Sequence, residues 1–460
     1  FKIVWQNEKR TEMTVEKLDY SRKTLFKMSW PIFIELLLQL LVGNMDQIQL
    51  SHFNATGVAA TGNANQIITI VLLLFNVISL AAMILISQYR GANDMKKVNQ
   101  IYTLSLTLNL LLSCVMAGVL IFAGDSLLSM MRVPAELIPE AHLYLVISAS
   151  ALPFNALMLT FSAFLRANAQ MKPIMVITGL VNVCNIAGNA ILINGFGPFP
   201  RLGVAGAALS SSIFRFVGFL LMMLVFFRRT PDAKIAPALL RPFPKNLLRR
   251  LLAIGLPSGG ENLSYNLSQI SCLVFVNLMG TVVVTTRMYA GMIAVCIYML
   301  ISAVSQAGQI LVGYLVGARD FDGANRCTMR ILFMFTPITV GISALVAIFA
   351  KPIFGLLTDD VRIIALGQTI FIIEIFLEIG RSLNIVLVRN LQAVGDVKFP
   401  VFIGILSQWV IAVGGGYLLG VVCGFGLAGL WVAFAIDENV RGILFFIRWK
   451  RGKWRKIKTI

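Results

Sequence analysis

Polar positions are scarce along this chain and come in short bursts, separated by apolar runs of near-constant length. Twelve runs can be marked, at about 27–50, 57–89, 98–123, 136–165, 172–194, 203–227, 248–278, 284–314, 327–350, 361–388, 398–420 and 426–447. Each offers the ~20 residues that cross a hydrocarbon layer. A bare backbone finds no water there, so each run is predicted to be a helix, which satisfies its own N–H and C=O groups. The expected fold class is all-α, a polytopic membrane protein.

The pattern also repeats. A shift of 226 residues lays Pro31 on Pro257 and Glu35 on Glu261, and "GANDMKKVN" (91–99) on "GARDFDGAN" (317–325). The same shift lays "RANAQMK" (166–172) on "QAVGDVK" (392–398), and a shift three shorter lays "GVAGAA" (203–208) on "GLAGLW" (426–431). Each half holds six runs, so each begins and ends on one side, and the repeat is parallel about an axis along the membrane normal. The expected organisation is an N-terminal segment 1–27, an N-lobe 28–228 with helices 1–6, a linker 229–247, a C-lobe 248–447 with helices 7–12 and a basic tail 448–460. Two six-helix bundles would then face each other across a central cavity and rock to expose a midplane site to alternate sides.

Composition agrees: 58% of residues are hydrophobic and 13% charged, with mean hydropathy +0.82, too little charge for a water-soluble surface. The net charge of +18 would suggest nucleic acid, but its placement points to a bilayer. With both termini cytoplasmic, 31 of the 39 Lys and Arg fall on the inner side, four on the outer (Arg132, Arg201, Lys351, Arg362) and four within spans (Arg215, Arg287, Arg381, Arg441). This is the positive-inside rule, and it places the protein in the cytoplasmic membrane as a multi-pass chain. The tail "RWKRGKWRKIK" (448–458) fits an anchor beside anionic lipid, and no nucleic-acid partner is expected.

The opening stretch, polar and mixed in charge through residue 23, lacks a signal-peptide core and is expected to lie on the inner surface as a short amphipathic helix. With Phe at position 1, a few residues are expected to precede it. The six cysteines show no paired spacing and read as small apolar residues, so neither disulfide nor metal site is expected. Only His52 and His142 occur, both near outer helix ends, and there is no HExxH, Walker loop or Gly-x-Ser-x-Gly; "GLPSGGE" (255–261) has the wrong spacing. Neither an enzyme nor an ATP-driven pump is expected, and no cofactor.

Seven acids fall inside runs: Glu35, Asp46, Glu261, Glu374, Glu378, Asp437 and Glu438. A charge at the bilayer centre costs about 2.5–3.5 kcal/mol on insertion scales, so each should face a cavity, pair, or bind a proton or ion. Asp46 is the leading coupling residue. Asn44 and Gln47 flank it, no Lys or Arg shares its run, and its repeat mate is Cys272. A carboxylate without a counter-charge in low dielectric can alternate between binding a proton and binding substrate. Glu35, with Gln39 one turn on, and Glu261 each sit one turn after a helix-starting proline. There a carboxylate can be structural, held by free amides at the helix start, or can gate or couple. "EIFLEIGRSLN" (374–384) sets Glu374, Glu378 and Arg381 in one sector, as a buried ion cluster or a secondary functional site. Asp437, Glu438 and Arg441 have the spacing for internal pairing. Arg215 and Arg287, alone in their runs, are expected to reach these acids across helices. With 19 Met and 31 Phe to draw on, a deformable aromatic cavity suited to lipophilic cations can be built.

Twelve spans as 6+6, the first-helix proline followed fifteen residues later by Asp in "GNMDQIQLS" (43–51), "QYRGAND" (88–94) and "LQAVGDVKFP" (391–400) together resemble the multidrug and toxic compound extrusion (MATE) family. The resemblance spans nearly the whole chain. It implies export of organic, often cationic compounds driven by inward flow of protons or sodium ions, and a coupling role for Asp46. It further implies Asn182, Asn185 and Asn189 of the fifth helix as partners of Asp46; otherwise they are interhelical hydrogen-bond links. Two departures stand out. Proton-coupled bacterial members carry Asp where this chain has Asn189, and sodium-coupled and eukaryotic members typically carry Glu where it has Tyr265. The coupling ion therefore stays open between H+ and Na+. Tyr265 and Arg287 join Gln39 and Asn44 as cavity residues, and a monomer is expected. The alternative function is a flippase of lipid-linked saccharides, a distant relative, which would need several unpaired bases in its cavity. Of the four in-span bases here, two have acids one turn away.

Overall fold

The computed structural model describes residues 20–51, 55–195 and 200–457, apart from the side chains of 42–47 and 55. The surface helix expected before residue 20, and His52, therefore lie outside the described residues. All regular structure among the described residues is helical. The first half comprises α1 (Arg22–Ser51), α2 (Ala55–Gly91), α3 (Met95–Met130), α4 (Ile138–Ser150), α5 (Leu152–Ala167), α6 (Met171–Asn194) and α7 (Gly203–Arg229). A connector with a short 3₁₀ turn (Pro237–Leu240) leads to α8 (Lys245–Leu278), α9 (Thr281–Gly317), α10 (Phe321–Ile348), α11 (Ala350–Gly355), α12 (Val361–Ala393), α13 (Lys398–Ser407) and α14 (Gly426–Lys450).

Nine of the described helical segments are long and apolar enough to cross a membrane, and the pair α4–α5 makes a tenth. Helices α8 and α14 have the length, at 34 and 25 residues, but carry Glu261, Asn262 and Asn266, or Asp437, Glu438 and Arg441, in their middles. The result is twelve rods, six in each half.

Two runs differ from simple helices. The fourth is two helices bent by 49° at Ala151. Pro153 has no N–H to give, and its ring crowds the carbonyl one turn back, so the helix restarts rather than continues. The eleventh begins as α13 and continues as wider π-helical turns over Gln408–Gly415 and Leu418–Val422. The glycine triplet 414–416 lies within it, and glycine holds a helix weakly.

The repeat extends to backbone geometry. Asn93 and Arg319, equivalent by the 226-residue shift, both adopt left-handed φ, at 58° and 60°. Asp94 and Asp320 follow them and cap α3 and α10, accepting from Lys97 N and Gly323 N. The shared "GA-x-D" is thus a turn-and-cap signal.

Packing sets the shape. At the end bearing the Lys- and Arg-rich loops, a single apolar core mixes both halves: Met28, Leu85 and Phe164 with Ile310, Leu311 and Leu391. At the other end there are two separate cores, one built only from the first half (Ala60, Phe75, Leu145, Val204) and one only from the second (Cys272, Phe354, Phe371, Leu430). The lobes are joined at the basic end and have independent cores at the opposite end, as in a V.

The join is close. A Cβ on Gly317 would lie 1.9 Å from Gln88 O, and one on Gly91 would lie 2.1 Å from Tyr314 O. Only glycine at both positions lets α2 and α9 cross backbone to backbone. Two hydrogen bonds span the same place: Gln88 Nε2 donates to Ala393 O at 2.6 Å, and Tyr314 Oη donates to Ala167 O at 2.9 Å. Gln88 matches Tyr314 and Ala393 matches Ala167 under the shift, so each lobe caps the end of the other lobe's fourth span.

Candidate functional site

Above this join lies a cavity of about 220 Å³ between the lobes, walled by Glu35 and Gln39 of α1, Asn76 of α2, Arg166 of α5, Asn262 of α8 and Gln306 of α9. Glu35, 3% exposed, receives Arg166 Nη2 at 2.5 Å and Gln39 Nε2 at 3.3 Å. Arg166 is the penultimate residue of α5, not a loop residue as the apolar run to 165 implied. Its helix restarts after the bend, and the final turn brings the guanidinium under α1. The partners are 131 residues apart, and nothing local in the sequence announces them.

The repeat mate of Glu35 has a different fate. Glu261 makes no ion pair within 4 Å among the described residues, and its carboxylate lies over Gly404 of α13, where a Cβ would approach Oε1 to 2.8 Å. Where the first half has Arg166 the second has Gln392, which accepts from Gln309 Nε2 at 3.3 Å.

In the second lobe the acids of α12 and α14 form one network. Arg381 Nη1 reaches Glu374 at 2.8 Å and also Glu378. Trp431 Nε1 donates to the second oxygen of Glu374 at 2.7 Å. Arg441 pairs with Asp437 at 2.5 Å and Glu438 at 3.0 Å. Asn384 Nδ2 donates to Glu438 at 2.6 Å, and Ser407 Oγ donates to Asp437. Glu261 lies within electrostatic reach of Arg441. Four carboxylates therefore share two guanidinia, Arg381 and Arg441, and Glu261 is a fifth acid near them without an ion pair of its own. In low dielectric such an excess of negative charge calls for protons or cations. Tyr265 is 44% exposed.

The i, i+3 and i, i+4 pairs read from the sequence form as expected, whereas Trp431, Asn384 and Ser407 were not foreseen. Trp431→Phe keeps the packing but strips one oxygen of Glu374 of its donor. It is expected to lower stability by about 1–3 kcal/mol, read as a shift in thermal unfolding of the purified protein.

Arg215 and Arg287 pair with no acid among the described residues; Arg287 donates to Gln269 Oε1 at 3.4 Å instead. The reason is local: Arg381 and Arg441 stand one turn from the acids on the same helices and engage them first. In the first lobe Asn185 Nδ2 donates to Ser211 Oγ at 3.2 Å, linking α6 to α7, and Asn189 is fully buried. Asn182 is half-buried on the same helix. Gln49 of α1 donates to Ile186 O of α6 at 3.1 Å, so these two helices are tied near the asparagines. Asn44 and Asp46 belong to α1, but their side chains lie outside the described residues.

Comparison with known proteins follows this geometry. The MatE family signature matches twice, over residues 31–191 and 257–418, and its two starts are offset as Pro31 is from Pro257. The uncharacterized transporter YisQ of Bacillus subtilis (strain 168) is 39% identical over 431 residues, covering 94% of each chain. The probable multidrug resistance protein NorM of Thermotoga maritima is 27% identical over 457 residues, covering 96% of this chain and 95% of the relative. In fold, a crystal structure of a mutant of the Vibrio cholerae MATE transporter VcmN superposes with TM-score 0.85 at 17% identity, over 95% of this chain and 98% of that one.

Proposed function

Because the chain belongs to the MATE family of transporters, we infer that it is a secondary active exporter, carrying lipophilic and often cationic organic compounds outward across the cytoplasmic membrane in exchange for protons or sodium ions. The observation that carries this reading is the division of the cores, one shared at the basic end and two separate at the other. With the basic end inside, this is an outward-open shape, in which a cargo can leave and an ion can enter. Rocking the lobes about the central cavity would reverse the opening. The second-lobe acids, five against two guanidinia, supply groups whose charge a proton or cation would balance on arrival from outside.

Asp46 is proposed as the coupling residue of the first lobe, with Asn182, Asn185 and Asn189 near it on α6. Moving one charge across 100 mV supplies about 2.3 kcal/mol, enough to drive cargo uphill by nearly two orders of magnitude. The test is efflux of a fluorescent organic cation from proteoliposomes under an imposed proton or sodium gradient, each applied separately. Gradient-driven efflux with one ion is expected, and Asp46→Asn is expected to reduce it at least tenfold. Efflux indifferent to both gradients, or undiminished in Asp46→Asn, contradicts the reading.

A further inference from the structure

A second cavity, of about 420 Å³, opens at the basic end beside the join, and none of its groups enters the export reading. Its walls come from both lobes: Leu85 and Gln88 of α2, Arg250 and Ala253 of α8, the first residues of α13, and Arg448 of α14. The tail completes it. Gly452 takes a left-handed φ of 65°, and Trp454 stacks on Trp449 with ring centroids 4.5 Å apart, donating Nε1 to Trp449 O at 2.9 Å. The chain is thereby folded back, and Ile457 joins Arg448 in the same wall. The volume falls in the range of ~300–1,000 Å³ typical of small-molecule sites.

Three cations line this cavity, Arg250, Lys398 and Arg448, against one carboxylate, Asp396, an excess of two positive charges. Asp396 is 6% exposed and accepts from Arg448 Nε at 2.7 Å, while the guanidinium lies 4.8 Å over the ring of Phe399. These contacts fix the plane of Arg448 and leave both its Nη groups without a hydrogen bond among the described residues. Arg250 is positioned by Tyr89, donating Nη1 to its hydroxyl at 2.5 Å. Lys398 is exposed and pairs with no acid among the described residues. Helix α13 also starts here with no side-chain cap, so the partial positive charge of its first turn adds to that of the cations. A guanidinium held by Nε with its Nη groups unclaimed offers the planar donors that match a phosphate.

Apolar surface continues from the cavity. From the level of Ala253 onward, Leu252, Leu256, Leu263 and Leu267 stand exposed along one side of α8. That side is turned about 110° from Asn262, which faces the central cavity. A free phosphate would use the basic pocket alone, whereas a lipid would use the pocket and the leucine stripe together. We propose that this cavity is a receptor for the phosphate headgroup of an anionic phospholipid from the leaflet at the basic end, seated between the lobes with an acyl chain along α8. Clustered Lys and Arg at a membrane surface attract anionic lipid, and a pocket between spanning helices gives that attraction an address. The tail 448–458 is then one wall of a defined site as well as a surface anchor.

The test is equilibrium binding to the purified full chain in neutral detergent, with no ion gradient, of three probes: dioctanoyl phosphatidylglycerol, dioctanoyl phosphatidylcholine and sn-glycerol 3-phosphate. The wild type is expected to bind the phosphatidylglycerol at least about tenfold more tightly than either of the others. In Lys398→Glu the preference over phosphatidylcholine is expected to fall to within about twofold, and the exposed position makes folding an easy condition to meet. Ala253→Trp fills the cavity without changing its charge and is expected to weaken phosphatidylglycerol binding at least about tenfold. Arg249→Glu makes the same change in charge at an exposed residue of α8 outside the cavity, and is expected to keep the wild-type preference to within about twofold. Equal affinities for the two lipids in the wild type, or glycerol 3-phosphate bound as tightly as phosphatidylglycerol, overturns the proposal. So does a preference that survives Lys398→Glu, tight binding that survives Ala253→Trp, or a loss in Arg249→Glu as large as that in Lys398→Glu.

Discussion

Gly317→Ala is expected to stop transport although it adds a single methyl group. The new Cβ would meet Gln88 O at 1.9 Å, and the obstacle is backbone, which cannot rotate aside as a flexible side chain can. Either α2 and α9 part, or the helices distort; both loosen the join that closes the basic end. Overpacking costs about 1–3 kcal/mol in ordinary cores, which would lower the population of the closed state by about fivefold to about a hundredfold. Ser87, 1% exposed and packed against Gly313 at this crossing, provides the readout. In Ser87→Cys a membrane-impermeant maleimide applied to the basic side should label slowly, and the added Gly317→Ala should raise that rate by an order of magnitude. Gly91→Ala, the repeat-equivalent change, should act in the same direction. Wild-type transport in either alanine variant would mean that this crossing does not gate.

Arg381→Met is the second large effect. Among the described residues the Arg381 guanidinium is the one cation paired with Glu374 and Glu378, and both acids are 1% exposed or less. Removing one partner of a buried ion pair costs about 3–5 kcal/mol because the remaining charge is stranded. The variant should therefore unfold at markedly lower temperature and accumulate poorly in the membrane. The triple change Glu374→Gln, Glu378→Gln, Arg381→Met carries no charge there and should recover most of the lost stability. If it folds well yet no longer couples efflux to an ion gradient, the cluster contributes to coupling; if coupling is intact, its role is structural.

How much of this could be read from the chain depends on separation in sequence. Helix existence follows from apolar runs, and the repeat follows from loop motifs whose physical content is a left-handed residue and an Asp cap. Glu374, Glu378 and Arg381 could be grouped because helix periodicity puts them on one face. Glu35 and Arg166 could not be paired, since only the packing of α5 under α1 brings them together, and Arg166 sits where the apolar run had already ended. Pro153 was visible, but whether a proline bends a helix or is tolerated depends on its neighbours: Pro31, Pro257 and Pro337 all lie inside continuous helices. The same limit applies to Trp431, an unremarkable aromatic in an apolar run until its indole is found on Glu374.

The shared core at the basic end has a consequence for biogenesis. Its first-half members, Met28, Leu85 and Phe164 among them, emerge from the ribosome well before Ile310 and Leu391 exist to cover them. The first half must therefore wait in the bilayer with an unfinished face, shielded by lipid or an insertion factor, until α9 and α12 arrive. The halves expressed as two polypeptides, cut within the connector 230–244, should each be degraded when made alone and persist when made together. The join at the basic end would then also be the last step of the protein's assembly.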